Sequence, residues 1–479
     1  LFPPLKKRSS QVLIATPKLE IGRVRAVNLI CIVSDTLRAD YLGCYGNGWV
    51  RTPNLDRLAG EGVFFENAYV EGLPTIPERI VLHTGKCTLP FRGWEPLGPD
   101  DVTLAQILGR PGSFQVQTLG RGEYVNALIA DTYHIFKPGM NFHRGFHSFQ
   151  WIRGQEFDCY VTDPGRGGEL ERYLTPRWVE QEARWTRPRE WLLQYHRNVW
   201  DRRGEEDYFV ARTMREGMRW LEGNCRQRFF LWLDCFDPHE PWDPPVQYYR
   251  MYSDPGYRGP MPIWAGFTSP WMEDYTEEER HEIRAAYAGE VTLVDHWVGE
   301  LLRKVDQLGM RDDTVILLTS DHGVTLGDRG PMGGRIGKGP HGRREVNRVP
   351  LIIRHPEGPR GMRVEQVVWS PDVAPTLLDI LHVEAPKAMH GRSFWPMVRG
   401  EVERYRDYTV SGWRRLLPTV YVADEEWTYL HAPKGEGELY NIKEDPGEKH
   451  NLIAEEPKKA REMEEKVREY QAEMSKLRP

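Results

Sequence analysis

Residues 27–35 read VNLICIVSD, an apolar run crowded with β-branched side chains and closed by an acid. That is the pattern of a strand buried on both faces of a parallel sheet. Residues 314–321, TVILLTSD, repeat it. Each run sets a carboxylate, Asp35 or Asp321, at the C-terminal end of its strand, where open α/β sheets gather their ligand sites. Two strands far apart in the chain thus aim acids at one place. Between them, TPNLDRLAGEG from residue 52 and EVTLVDHWVGELLRKVDQLG from residue 290 carry apolar side chains at three- and four-residue intervals, the helical period. Alternating strands and helices predict an α/β fold, a mainly parallel sheet sandwiched by helices.

No Gly/Ser-rich or Pro-rich linker interrupts residues 26–370, which read as one large catalytic α/β domain after an N-terminal extension over 1–25. The character changes near 367–371. Beyond it, YRDYTVSG, PTVYVAD and EEWTYLHAP are short strand candidates, and a charged helix follows from 455 to 476. Residues 371–479 therefore read as a small α+β subdomain with an antiparallel sheet, its last helix a solvated amphipathic face and not a binding tail. No repeat of solenoid period occurs.

The 479 residues are 40% hydrophobic and 28% charged, enough to bury a large core and unlike a disordered chain. The net charge of -6, from 70 acidic and 64 basic residues, offers no long-range attraction to nucleic acid or an anionic membrane, so neither is expected as a partner. Any anion binding must be local. No window approaches the roughly 18–20 apolar residues of a membrane span, and the opening LFPPLKKRSSQVLIATPKLE lacks a signal-peptide core, which predicts a cytoplasmic location. Six cysteines without a CxxC pair read as reduced structural thiols. Nothing in the sequence speaks to oligomeric state.

Residues 71–86, EGLPTIPERIVLHTGK, carry the chemistry. Pro77 suits the first turn of a helix, so Thr75 falls at a helix N-terminus, where backbone N–H groups and the helix dipole favour an anion. Arg79, four residues on, can return a guanidinium to the same mouth and clamp tetrahedral oxygens. The plainer alternative is an ordinary Thr cap and a surface Arg.

This stretch resembles the sulfatase signature: Cys or Ser, any residue, Pro, usually Ser, then Arg, shortly before Thr-Gly. Thr75, Pro77, Arg79, Thr84 and Gly85 occupy matching positions. Sulfatase-like blocks follow the family order over nearly the whole chain: SDTLRADYLGCYG with RTPNLDRLAGEGVFFENAY, FDPHEPWDPP, YAGEVTLVDHWVGELL, TVILLTSDHG, GKGPHGRREVNRVPLIIRHP, DVAPTLLDIL with HGRSFWP, and ELYNIKEDPGEKHNL. The chain is thus similar to the sulfatase family of the alkaline phosphatase superfamily, which implies the fold but does not fix the substrate.

The resemblance implies Asp35, Asp321 and His322 as ligands of one divalent metal ion, with the Thr75 oxygen as a further ligand. Carboxylate plus imidazole suits Mn, Zn or Fe better than Ca. Such an ion would deprotonate Thr75 and polarise the ester. His239 matches the His of the family's Pro-His-x-Pro block, a candidate acid for the leaving alcohol. Lys338 matches the Lys that balances ester charge, and His134, Thr132 and His341 fall at substrate-binding positions. Each has a plain alternative: Asp321 and His322 as a strand end and helix cap, His239 as a packed loop residue, Lys338 as a solvated side chain. A second metal at Asp237, His239 and His341 would resemble nucleotide phosphodiesterases, though Lys338 would repel it.

Sulfatases oxidise their Cys or Ser to formylglycine. Thr cannot become that aldehyde, so no formylglycine is expected, and a Thr ester must be broken by water, which is familiar for phosphoryl and slow for sulfuryl groups. Glu78 replaces the usual Ser, adding negative charge beside the nucleophile. Thr36 replaces the second Asp of calcium-bound sulfatases, and Thr132 replaces the Lys expected before His134. These departures resemble the phosphonate monoester and phosphodiester hydrolase branch. They imply a metal-dependent hydrolase with a Thr nucleophile acting on a small anionic ester, a phosphodiester or phosphonate monoester. Sulfuric ester hydrolysis of the arylsulfatase kind, group transfer to another alcohol, and a non-catalytic binding module stand as alternatives. Trp151, Trp178, Trp185, Trp191, Trp200 and Trp220 are expected mostly in the core, not in a leaving-group pocket.

Overall fold

The structure, a computed structural model, describes residues 27–111, 118–167, 170, 173, 188–263, 275–328, 336–337, 343–432 and 437–477. In chain order the strands are β1 (Asn28–Ser34), β2 (Val63–Tyr69), β3 (Gly72–Leu73), β4 (Val125–Ala130), β5 (Ser148–Trp151), β6 (Phe229–Cys235), β7 (Thr314–Thr319), β8 (Thr325–Leu326), β9 (Ile336–Gly337), β10 (Arg348–Val349), β11 (Leu351–Arg354), β12 (Met362–Trp369), β13 (Thr409–Trp413), β14 (Val420–Ala423), β15 (Trp427–His431) and β16 (Glu438–Asn441).

The large sheet runs β12-β2-β10/β11-β7-β1-β6-β4-β5. Its strands are parallel except β10 and β11, which lie antiparallel to β2 on either side of Pro350; a residue without an N–H interrupts a ladder in just this way. The expected mainly parallel α/β sheet is what the chain forms. β1 is wholly buried, and its side chains alternate between layers, as period two requires. Leu29, Cys31 and Val33 pack with Ile76 and Ile80 of the helix Thr75–Thr84 and with Leu377 and Leu378 of the helix Val373–Ile380. Ile30 and Ile32 pack on the other side with the helices Phe209–Asn224 and Glu277–Gln307. Pairing of Val33 with Thr319 and with Asp234 carries the acids after β1 and β7, and Asp234 on β6, to one end of the sheet.

A second sheet runs β16-β15-β14-β13-β3. Its C-terminal strands are antiparallel, and β3, contributed by the early chain, joins β13 in parallel through Gly72↔Gly412 and Leu73↔Trp413. Only glycine fits at 72, where a Cβ would lie 1.9 Å from Thr88 Oγ1. The terminal helix Pro457–Met474 covers this sheet with Met463, Val467, Tyr470 and Met474 and leaves its charged face to solvent.

All six cysteines are free, and Cys31, Cys87 and Cys235 are buried. Among the described residues no helix is long and apolar enough to cross a membrane. Of the tryptophans expected mostly in the core, Trp191 and Trp220 are half-buried and pack against hydrophobic clusters. Trp178 and Trp185 lie outside the described residues, and none of the other four is fully buried. Trp200 and Trp151 are capped by the guanidinium groups of Arg166 and Arg153, at 3.9 and 4.0 Å from the ring centroids, and Trp151 also stacks on Phe136 at 5.6 Å.

Candidate active site

β3 feeds directly into the helix Thr75–Thr84, which is buried along its entire length and ends at Gly85, whose φ of 65° closes it in the left-handed region. Thr75 opens this helix, as its sequence predicts. Its Oγ1 lies 3.4 Å from His322 Nε2.

Asp35 follows β1, and Asp321 and His322 follow β7. Their ligating atoms all lie within 4.8 Å of one another, and all three residues are buried. The backbone fixes their directions. Thr36, at φ 57°, is a β-branched residue in the left-handed region, a conformation that costs about 1–3 kcal/mol and persists only where the surroundings enforce it. There its N–H reaches Asp321 Oδ1 at 3.2 Å, and the N–H of His322 donates to the same oxygen at 2.9 Å. His322 Nδ1 meets the Gly323 carbonyl at 2.8 Å, leaving Nε2 on the side of Thr75 and Asp321. A histidine held this way by its far nitrogen is the usual posture of a metal ligand. Two buried carboxylates and an oriented imidazole at this spacing fit a divalent ion, since buried acids demand cationic partners.

Arg79 departs from the expected open clamp. Its Nε and Nη2 donate to Asp234 at 3.0 and 2.7 Å, its Nη1 lies 2.5 Å from Asp321 Oδ2 and 3.2 Å from Asp35 Oδ2, and Nη1 also donates to the Thr75 carbonyl at 3.4 Å. Burial alone would lower its pKa, but Asp234, Asp321 and Asp35 outweigh that and hold it well above its ordinary value. Thr132 Oγ1 donates to Asp234 at 2.6 Å and accepts from Arg79 Nη2 at 3.3 Å.

Asp234 was not singled out from the sequence. The signal was there: one acid interrupts the apolar run FFLWLDC of β6, whose seven residues are all buried.

Glu78 is engaged within its own turn. Its carboxylate turns back to accept the N–H groups of Glu71 and Gly72, both at 3.0 Å. Burial pushes its pKa well above the usual carboxylate range, against the hydrogen bonds that favour the charged form.

His134 lies in the turn Tyr133–Phe136 after β4, with Nε2 at 3.4 Å from Glu156 and Nδ1 at 3.3 Å from Lys137 Nζ, and its ring is edge-on to the exposed Trp94. His239 is buried, stacked on Phe236 at 4.1 Å, with Nδ1 at 2.7 Å from the Glu240 carbonyl. Asp237, considered for a second metal, has both carboxylate oxygens engaged, by Gln155 Nε2 at 2.7 Å and the Val210 N–H at 3.0 Å. Among the described residues only Asp35, Asp321 and His322 form a cluster of metal-binding spacing. Lys338 and His341 lie outside the described residues.

The sulfatase family model matches residues 27–383, and that of the N-sulphoglucosamine sulphohydrolase C-terminal region matches residues 343–477. An arylsulfatase of Clostridium perfringens is 26% identical, with 91% of this chain and 92% of that protein covered. The multifunctional alkaline phosphatase superfamily protein PehA of Trinickia caryophylli is 27% identical over 89% and 91%. Among solved structures, the phosphonate monoester hydrolase of Agrobacterium radiobacter superposes with a TM-score of 0.70 at 22% identity, covering 93% of this chain and 95% of that one. A structure in complex with its substrate D-glucosamine-2-N,6-O-disulfate gives 0.69 at 20% identity, over 95% and 99%. At such identities the structural likeness speaks for the fold.

Proposed function

The chain belongs to the sulfatase family and is a hydrolase of ester bonds, and from that premise we propose that it cleaves phosphodiesters or phosphonate monoesters with Thr75 as nucleophile. The observation that carries this reading is the side chain at the head of the buried helix: a Thr hydroxyl, 3.4 Å from His322 Nε2, which cannot be oxidised to an aldehyde. An ion held by Asp35, Asp321 and His322 would supply Lewis-acid charge and favour the alkoxide. The Thr75 oxygen bonds to phosphorus as the bond from phosphorus to the leaving oxygen breaks. His239 gives a proton to that oxygen, and Lys338 balances the ester charge. Water then attacks phosphorus and returns a proton to His239 as the bond from phosphorus to the Thr75 oxygen breaks. Arg79, gripped by three carboxylates, keeps the acids in place, while Thr132, His134 and His341 border the substrate. The fold shared with the phosphonate monoester hydrolase of Agrobacterium radiobacter is in keeping with this substrate class. The arylsulfatase relative favours sulfate esters as the second reading.

The test is a matched panel of aryl sulfate, phosphate mono- and diester and phosphonate ester across Mn, Zn, Fe and Ca, with Thr75→Ala as control. The diester or phosphonate should show the highest kcat/KM, and Thr75→Ala should lose about a thousandfold or more. Aryl sulfate turned over at least as fast as the diester, or an active Thr75→Ala, overturns the reading.

A further inference from the structure

We propose that Asp234 is a positioning residue that sets the charge of the ester this site accepts, selecting singly charged esters over doubly charged phosphate monoesters. The inference deepens the reading above and rests on it for the location of the substrate.

The side-on pair between Asp234 and Arg79 takes up Nε and Nη2, and Nη1 is taken by Asp321, Asp35 and the Thr75 carbonyl. The guanidinium therefore spends its charge on the protein's own acids. Thr132 reinforces this arrangement. At the position where a sulfatase-like Lys would extend an ammonium, its hydroxyl instead donates to Asp234 at 2.6 Å, and Trp232 Nε1 donates to the other carboxylate oxygen at 3.3 Å. Asp234 is thus a built, hydrogen-bonded anion with no exposure to solvent, so its charge is poorly screened.

Among the described residues of this shell, Asp35, Asp321 and Asp234 bring three negative charges against the one positive charge of Arg79. A single divalent ion cancels the remaining two. With a Lys at 132 and a neutral residue at 234, the same shell would carry two further positive charges, which suits a phosphate monoester dianion. As built, the shell with its ion is neutral, and each charge on the substrate is opposed by Asp234 across a medium of low dielectric, so a dianion is disfavoured more than an ester with one charge.

The experiment uses the metal-loaded full chain carrying Asp234→Asn, which keeps an acceptor for Arg79, and separately Thr132→Lys, which restores the cation. For each, kcat and KM are measured on 4-nitrophenyl phosphate as the dianion, and on bis(4-nitrophenyl) phosphate and 4-nitrophenyl sulfate as singly charged esters. Affinity for inorganic phosphate at pH 8 is read from thermal shift. Both variants should raise monoester kcat/KM relative to the singly charged ester by about tenfold or more and should tighten phosphate binding. If Asp234 merely props Arg79, every ester loses activity by the same factor and phosphate affinity does not tighten, which overturns the proposal. Should Asp234→Asn fail to fold, Thr132→Lys alone decides. A wild-type preference for the sulfate over the diester would sink the proposed substrate class but leave this charge rule to be judged on the ratio of sulfate to phosphate monoester.

Discussion

At the scale of single residues, the buried ring of His83 has a measurable consequence. It stacks on Trp232 at 4.1 Å, packs against Phe142, and has no hydrogen-bond partner at either ring nitrogen. Burial, with the charge of Arg79, lowers its pKa to about 3. Between that value and the ordinary 6.5 the unfolded chain binds a proton that the folded one refuses, so stability rises with pH in this window and falls on acidification, by about 1.4 kcal/mol per unit. His83→Phe should remove that term, making the variant about 2–3 kcal/mol less acid-sensitive than the wild type between pH 6.5 and 4.5. Urea midpoints at the two pH values check it; equal acid-side losses would mean that His83 is not held neutral. Thr75, Arg79, Asp35, Asp321 and His322 are legible in the sequence because a linear motif or a strand end marks them, whereas the aim of Glu78 and the partnership of Arg79 with Asp234 depend on where a distant or looping segment places its donors.

At the scale of elements, β1 and β7 were plain from hydrophobic runs too long and too β-branched for a loop, and the second half of the helix Glu277–Gln307 was plain from its period. β13, β14 and β15 lie in the segments expected to be strands. β16 escaped because ELYN is short and half polar and becomes a strand only by pairing with β15. The terminal helix was expected as an amphipathic face, and its apolar side proves to be the cover of the second sheet. Tyr470 approaches Glu71 at 3.5 Å, so this helix reaches the turn that leads into Thr75. Met463, with no solvent exposure, sits at its centre, and Met463→Ala should cost about 2–4 kcal/mol through lost packing and a residual cavity. Thermal or urea unfolding reads the loss directly, and an effect within about 0.5 kcal/mol would show the helix to be a surface attachment.

At the scale of the whole molecule, the alternation of strands and helices suffices for the architecture and the two strand ends for the meeting of Asp35 with Asp321, whereas Asp234 joins them only through the sheet register. That assembly makes metal binding a property of the folded chain. A bound ion should therefore stabilise the entire structure, by about 2.7 kcal/mol at a hundredfold excess over its Kd. Chelation should lower the melting temperature, re-addition of Mn or Zn should restore it, and Asp321→Asn should show neither response. An unaltered melting temperature in the wild type on chelation would argue against a site at Asp35, Asp321 and His322. The parallel pairing of β3 with β13 has a further consequence, in time and not in space. A ribosome releases Gly72 long before Gly412, and a stretch of about 340 residues takes roughly 20–70 s to translate at about 5–20 residues per second. The segment leading into Thr75 therefore has no strand partner in the second sheet until Gly412 and Trp413 have emerged, which makes the seating of β3 a late event in the synthesis of the chain.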